Sequence, residues 1–304
     1  MENVGGRWAN SLVGRMTSFA IGKFDALHRG HFALAQQAAR FGAPRLLTFS
    51  GMARELGWSE RRPLLAASDR ARVLAEWSHL LGATIEEVEL PFASVRNMSP
   101  AEFVAHVQTL CGAQALVVGE DFRFGRDRIG NSATLCELAI AMGIQVAVLP
   151  PVRHEGKIIS SSAVRSALGA GDVALAAALL GRPHRLVGTV VRGDGRGRQL
   201  GIPTANLGDR ANQEPAPGVY AAWAEVDGQR ISAALNVGHL PTVGGARPLT
   251  VEAHLIDWST DIYGHPLTFD LITRVRGEQR FGSIAALVKQ IHSDVITVKQ
   301  LLAG

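Results

Sequence analysis

Along the first part of the chain, short apolar runs rich in β-branched and aromatic residues alternate with longer stretches whose apolar positions recur every three or four residues. SFAIG, RLLTF, TIEEVEL, ALVVG and IQVAVL read as strands. His28 to Phe41, Ser68 to Leu81, Pro100 to Leu110, Ala133 to Met142 and Ser161 to Leu168 have helical spacing. This alternation predicts a parallel α/β sheet with helices on both faces, since parallel neighbours need a crossover and the crossover is usually a helix. In such sheets ligands bind beyond the carboxyl ends of the strands, where GKFDALHRGH is the first strand-to-helix loop. From about residue 186 the pattern changes. RLVGTVVR, GVYAAWAEV, RISAALNVG, LTVEAHLID and LTFDLITRVR, separated by Gly, Pro, Asp and Asn, predict an antiparallel sheet or small barrel closed by a helix from about Ser283 to Leu302. The change places a boundary near GRPH, giving domains 1–182 and 183–304.

A length of 304 residues agrees with two domains, each large enough for its own core. The start, MENVGGRWANS, lacks the layout of a secretory signal, and the most apolar stretch, ELAIAMGIQVAVLPPV, is broken by Glu137, Gln145 and Pro150. A cytoplasmic enzyme or binding protein without membrane contact is therefore expected. Cys111 and Cys136 stand apart from any CxxC or Cys/His cluster, which argues against a disulfide framework and a structural zinc site. Net charge is only +4, and four of the 31 basic residues are lysines, which leaves 27 arginines spread along the chain. Without a basic stripe, nucleic acid is not an expected partner, whereas small phosphorylated ligands are compatible.

His28 and His31 carry the first candidate chemistry. At i, i+3 they share a face of a helix whose first N–H groups point toward the strand ends. Zinc would need a further clustered ligand, and only Asp25 stands nearby. Two helix-capping or surface histidines are the plain alternative, while Gly30 between them allows a phosphate to approach the backbone. ISSSAVR places Ser160, Ser161 and Ser162 at a helix start with Arg165 one turn in, a phosphate-binding arrangement that elsewhere is only an N-cap.

Four stretches in order add a resemblance. IGKFDALHRGH, VVGEDFRFGRDRIGN, ISSSAVRSALGAGDVALAAALLGRPHRL and GRQLGIPTANL resemble the motifs of the HxGH nucleotidyltransferases, and in particular of the bifunctional riboflavin kinase/FAD synthetases of bacteria. The likeness runs from about residue 17 to 301. It implies a Rossmann-like nucleotidyltransferase domain with a parallel sheet, followed by an antiparallel β-barrel riboflavin-kinase domain with a C-terminal helix. For the first domain it implies adenylylation of FMN to FAD, with His28 and His31 holding the triphosphate and the developing charge, and Arg165 on phosphate. Gly22, Phe24 and Asp25 would shape the nucleotide pocket, and Asp121 would contact flavin or nucleotide. For the second domain it implies phosphorylation of riboflavin by ATP, with Glu252 as general base, Thr204 and Asn206 as Mg²⁺ ligands, and Gly195, Gly197, Arg198 and Gly201 in a loop over the phosphates.

Three positions depart from the common pattern. Ala26 stands where glycine is usual, and TFSGMARELGW replaces a TFEPHP-like segment; both resemble the plant-chloroplast and cyanobacterial FAD synthetase branch. Leu240 stands where an arginine usually precedes Pro-Thr, which removes a fork-shaped donor. The alternatives to a bifunctional enzyme are a monofunctional FMN adenylyltransferase with an inactive flavin-binding C-terminal domain, and a flavin-binding protein without catalysis. Small-molecule flavins and ATP are the expected partners, and the oligomeric state is left open.

Overall fold

A computed structural model describes residues 16–59, 61–193, 195, 197, 200–239 and 249–303. They gather into two compact units. One holds the described residues through Lys23 together with His31–Trp58 and Leu74–Pro151; the other holds Phe24–Gly30, Ser59–Val73 and the described residues from Val152 onward.

The first unit is built on five parallel strands, β1 (Thr17–Ile21), β2 (Ala43–Ser50), β3 (Glu86–Pro91), β4 (Ala115–Gly119) and β7 (Gln145–Leu149), in the order β3-β2-β1-β4-β7. Two-residue strands β5 (Arg123–Phe124) and β6 (Gly130–Asn131) form a small ribbon. Helices α1 (Arg29–Phe41), α2 (Met52–Glu55), α3 (Ala67–Leu81), α4 (Phe92–Val95), α5 (Pro100–Cys111) and α6 (Ser132–Ala141) make the crossovers. Central strands β1 and β4 are buried along almost their whole length, as strands covered on both faces must be, and Phe19, Ile21, Leu116 and Val118 meet Val104, Val107 and Leu135 in one core. Edge strand β3 carries three glutamates, which keep its open side from pairing. Ser99 and Glu102 close a capping box at the start of α5, and Gly112 ends that helix in the left-handed region.

The second unit contains a closed antiparallel barrel of β10 (His184–Val191), β11 (Ala205–Gly208), β12 (Gly218–Val226), β13 (Gln229–His239), β14 (Leu249–Leu255) and β15 (Pro266–Arg276), in the order β10-β11-β14-β13-β12-β15. Alternate residues of β10 and β14 point into its core beside Tyr220, Leu235 and Phe269. Helices α7 (Ser161–Ala170) and α8 (Val173–Leu180), preceded by the hairpin of β8 (Arg153–His154) and β9 (Lys157–Ile158), add Val164, Leu168, Ala176 and Leu180 to the same core. The last helix, α9 (Ile284–Ala303), seats Val298 against Ala221, Ala234 and Ile256, so β12 is covered on its outer side as well.

The parallel sheet, the barrel and the closing helix agree with the fold expected above. The short α2, α4, β5, β6, β8 and β9 were not anticipated, nor were two elements that complete the core. VALAAALL has no polar face and hence no amphipathic signal, yet it forms α8, burying Val173, Ala176, Leu179 and Leu180 while Ala174 and Leu175 stay exposed. ANLG is too short to stand out, and as β11 it closes the barrel.

Candidate functional site

Chain winding in the parallel sheet reverses between β1 and β4, and the loops leaving these strands part at their carboxyl ends. Gly22 and Lys23 follow β1, and Asp121 follows β4, so both segments stand at this reversal. The Gly22 N–H donates to the Leu47 carbonyl at 3.2 Å, which holds the loop mouth to β2. The Asp121 carboxylate folds back over its own turn; a Cβ on Gly119 would lie 2.9 Å from Oδ1. The Lys23 ammonium sits 4.1 Å from the ring centre of Trp58, which is half exposed.

The loop that continues into α1 is held in an unusual shape. Phe24 and Leu27 have φ of 48° and 44°, a left-handed backbone that costs a bulky residue about 1–3 kcal/mol each. Arginines over-determine it. Arg70 Nη1 donates to the Phe24 carbonyl at 2.9 Å, and Arg182 donates to those of Leu27 at 2.7 Å and Ala26 at 2.8 Å. Phe24, Ala26 and Leu27 are fully buried, which adds apolar anchors to these bonds.

His28 immediately precedes α1, and His31 lies in the first turn. Burial pushes the His28 imidazole down to about 4, and the Arg182 cation also lowers it, so His28 is neutral at pH 7 and offers one N–H donor and one acceptor instead of a charge. Its ring lies over Gly30, where a Cβ would stand 3.0 Å from Cε1. An alanine there would press on the ring, which would have to give by a few tenths of an ångström.

Asp25 and Arg165 form an ion pair. Arg165 Nη2 meets Asp25 Oδ2 at 2.7 Å, while Nη1 donates to the Arg62 carbonyl at 2.8 Å and to Gln213 Oε1 at 2.6 Å. Asp25 Oδ1 accepts from the Leu64 N–H at 3.2 Å. Pocket shaping by Asp25 and phosphate contact by Arg165, read separately from the sequence, thus belong to one network. Ser160 caps α7, accepting from the Ala163 N–H at 3.1 Å, with Ser161 and Ser162 in the first turn.

A second cluster lies on the outer face of the barrel. Leu207, Val251, Ala253, Leu235 and Val237 point into the barrel core, so the intervening Asn206, Glu252 and Asn236 point out. Register makes Asn206 opposite Glu252 and Glu252 opposite Asn236 across β11, β14 and β13, which spaces neighbouring Cβ atoms by about 4.5–5.5 Å. Thr204 lies two residues before Asn206, just ahead of β11. The glycines nearby fit close around these side chains. A Cβ at Gly193 would collide with the Asn206 amide, and one at Gly197 would collide with the Ile202 carbonyl and stand 3.1 Å from Thr204 Oγ1. Gly195 and Gly201, at φ of 70° and 73°, take the left-handed turns of the same loop. His254 Nδ1 lies 2.8 Å from the Pro203 carbonyl and fixes the approach to Thr204. A cleft of about 140 Å³ opens beside Thr204 among Val190, Leu255, Trp258, Ile262 and Tyr263. Arg198 and Leu240 lie outside the described residues.

Two family models match this chain, FAD synthetase over residues 13–163 and riboflavin kinase over 180–302. A bifunctional riboflavin kinase/FMN adenylyltransferase of Pseudomonas fluorescens is 38% identical over 291 residues, covering 93% of this chain and 92% of that one. This chain belongs to the bifunctional riboflavin kinase/FMN adenylyltransferase family. The Escherichia coli K12 member is 34% identical, covering 92% and 91%. FAD synthetase 1 of Arabidopsis thaliana chloroplasts is 38% identical over 231 residues, 69% of this chain and 64% of the relative. A crystal structure described as a macrolide-efflux protein from Streptococcus pneumoniae superposes with a TM-score of 0.82 at 27% identity, covering 94% of both chains. Among the described residues no helix is long and apolar enough to cross a membrane.

Several residues of the two clusters had no signal of their own in the sequence. Asn236 reads as a strand residue until the register sets it opposite Glu252. Gly193 reads only as one glycine of a loop over phosphates until Asn206 is found against it. Arg70 and Arg182 are two arginines among 27 until their carbonyl partners are known.

Proposed function

We propose that the two reactions of this family are divided between residues 1–182, which adenylylate FMN to FAD, and residues 183–304, which phosphorylate riboflavin to FMN. The chain is an enzyme of flavin-cofactor synthesis, and ATP, riboflavin, FMN and FAD are its substrates and products. The observation that carries the kinase assignment is the cross-strand row Asn206, Glu252, Asn236 with glycines packed around it.

In the barrel, Glu252 accepts the proton of the riboflavin 5′-hydroxyl as the hydroxyl oxygen attacks the γ-phosphorus of ATP, the bond to the β,γ-bridging oxygen breaks and ADP leaves. Thr204 and Asn206 supply hard oxygens of the kind Mg²⁺ takes alongside phosphates and water, and no described cluster of three His, Cys, Asp or Glu competes for a metal. When bound there, Mg²⁺ neutralises phosphate charge as it is transferred. Gly193 and Gly197 keep the backbone close to those side chains, as a backbone that covers phosphates needs.

In the other half, an FMN phosphate oxygen attacks the α-phosphorus of ATP and pyrophosphate leaves. This chemistry needs positioning and charge stabilisation. A neutral His28 donates a hydrogen bond to the phosphates, His31 stands one turn on, and the helix start at Ser160 to Ser162 offers N–H groups to an anion. Asp25, clamped by Arg165 and Leu64, fixes the loop that carries the histidines.

Purified protein given riboflavin, Mg²⁺ and ATP is expected to yield FMN and then FAD, with FMN supplied alone giving FAD. Riboflavin left unchanged while FMN is converted would select the monofunctional alternative. Tight flavin binding with neither product would select a non-catalytic protein.

A further inference from the structure

The segment Arg210–Glu214, which follows β11 in the barrel half, is tied to the loop of the adenylylation site by a continuous set of hydrogen bonds within one compact unit. Asn212 is fully buried; its Nδ2 donates to the carbonyls of Arg185 at 2.8 Å and Leu64 at 3.3 Å, and its Oδ1 accepts from the Val187 N–H at 3.1 Å. The Gln213 N–H donates to the Pro63 carbonyl at 2.9 Å. Residues 63 and 64 are thus held from below while the Leu64 N–H holds Asp25 Oδ1. Glu214 pairs with Arg62, whose carbonyl in turn accepts from Arg165.

Gln213 is the centre of this set. Its Oε1 accepts from Arg165 Nη1 at 2.6 Å, its Nε2 donates back to the Arg165 carbonyl at 3.4 Å, and its own carbonyl lies 2.7 Å from His184 Nε2. A carbonyl only accepts, so Nε2 of His184 carries the proton. Burial keeps that imidazole neutral, with its titration pushed down to about 4. Both ends of the Gln213 amide are therefore engaged, and the guanidinium they fix is the one that clamps Asp25 Oδ2.

We infer that Gln213 is a positioning residue for adenylyl transfer, acting through Arg165 on Asp25 and the histidine loop, although it lies in the half that phosphorylates riboflavin. This rests on the division of chemistry proposed above. Its consequence is that the barrel half completes the adenylylation site, since the amide arrives from the far side of the family boundary near residue 180.

The test measures both reactions in the full chain. Gln213→Leu keeps volume and removes the acceptor; FAD formation from FMN is expected to lose about tenfold or more in kcat, the cost of a misplaced loop, with KM for FMN changed less than about threefold. Riboflavin phosphorylation should stay within about twofold of the parent. Gln213→Glu keeps an oxygen for Arg165 Nη1 but loses the Nε2 donor to the Arg165 carbonyl, and is expected to recover part of the rate lost in the Leu variant. If Gln213→Leu does not fold, Gln213→Asn, too short to reach Arg165, carries the same expectation. FAD formation unchanged in the Leu or Asn variant overturns the inference, and so does equal loss in the Glu and Leu variants, or equal loss of both reactions. A parent protein inert toward FMN overturns the division of chemistry itself, and this inference with it.

Discussion

His31 and Glu252 stand in separate clusters, one at the start of α1 and one on the outer face of β14. His31→Ala is expected to abolish FAD formation from FMN while riboflavin phosphorylation continues, and Glu252→Ala to do the reverse, each read by chromatography of the flavins. Loss of both reactions from either substitution in folded protein would contradict one chemistry per half. Gly193→Ala is a finer probe, because the added methyl collides with the Asn206 amide. It should lower riboflavin phosphorylation by about tenfold or more and leave FMN adenylylation untouched. Of these residues, the histidines and Glu252 were marked as candidates in the sequence through their motifs. The role of Gly193 was not, because only folding brings residues 193 and 206 into contact. The same holds for titration. His28 and His184 look like ordinary histidines in the sequence, but burial holds both at about 4 against 6.5 when exposed. The unfolded chain takes up protons at these positions below about pH 6.5 and the folded chain only near pH 4, so stability falls as pH drops through that window, by up to about 3 kcal/mol per histidine. Urea unfolding between pH 7 and 4 should show this slope, and His184→Gln should flatten it.

At the scale of elements, strands and long helices were readable because burial imposes a period on them, and the expected boundaries of α5 and α7 agree closely with the observed ones because Ser99 and Ser160 cap them. Ser99→Ala removes half of a capping box and is expected to cost about 1 kcal/mol of stability without altering either reaction, which thermal unfolding would detect. Helix α8 and strand β11 were not readable. The first is apolar on every side and the second is four residues long, so neither carries a periodic pattern; their form is set by the core and the barrel edge they complete. The left-handed Phe24 and Leu27 belong here as well. Nothing local favours that backbone for bulky residues, and arginines distant in sequence hold it.

On the scale of the whole molecule, Phe24–Gly30 and Ser59–Val73 pack with residues from Val152 onward. A fragment ending at residue 182 lacks Arg185, which lies 3.8 Å from buried Asp69, and also Asn212, Gln213 and Glu214. It is expected to form no FAD from FMN and to be cut by protease within residues 59–73 well before the sheet core, as mass spectrometry of the digest would report. A fragment as active as the full chain would show that these bonds are dispensable. The sequence by itself indicated the two architectures and most of their longer elements, and its motifs marked candidates for phosphate chemistry, since hydrophobic period and short motifs are local properties of a chain. Only the tertiary structure decided that Asn206, Glu252 and Asn236 form one row, that His28 is neutral, and that Arg165 bonds both Asp25 and Gln213. Register, burial and long-range hydrogen bonds arise when distant segments close on one another, and no local pattern encodes which segments those are.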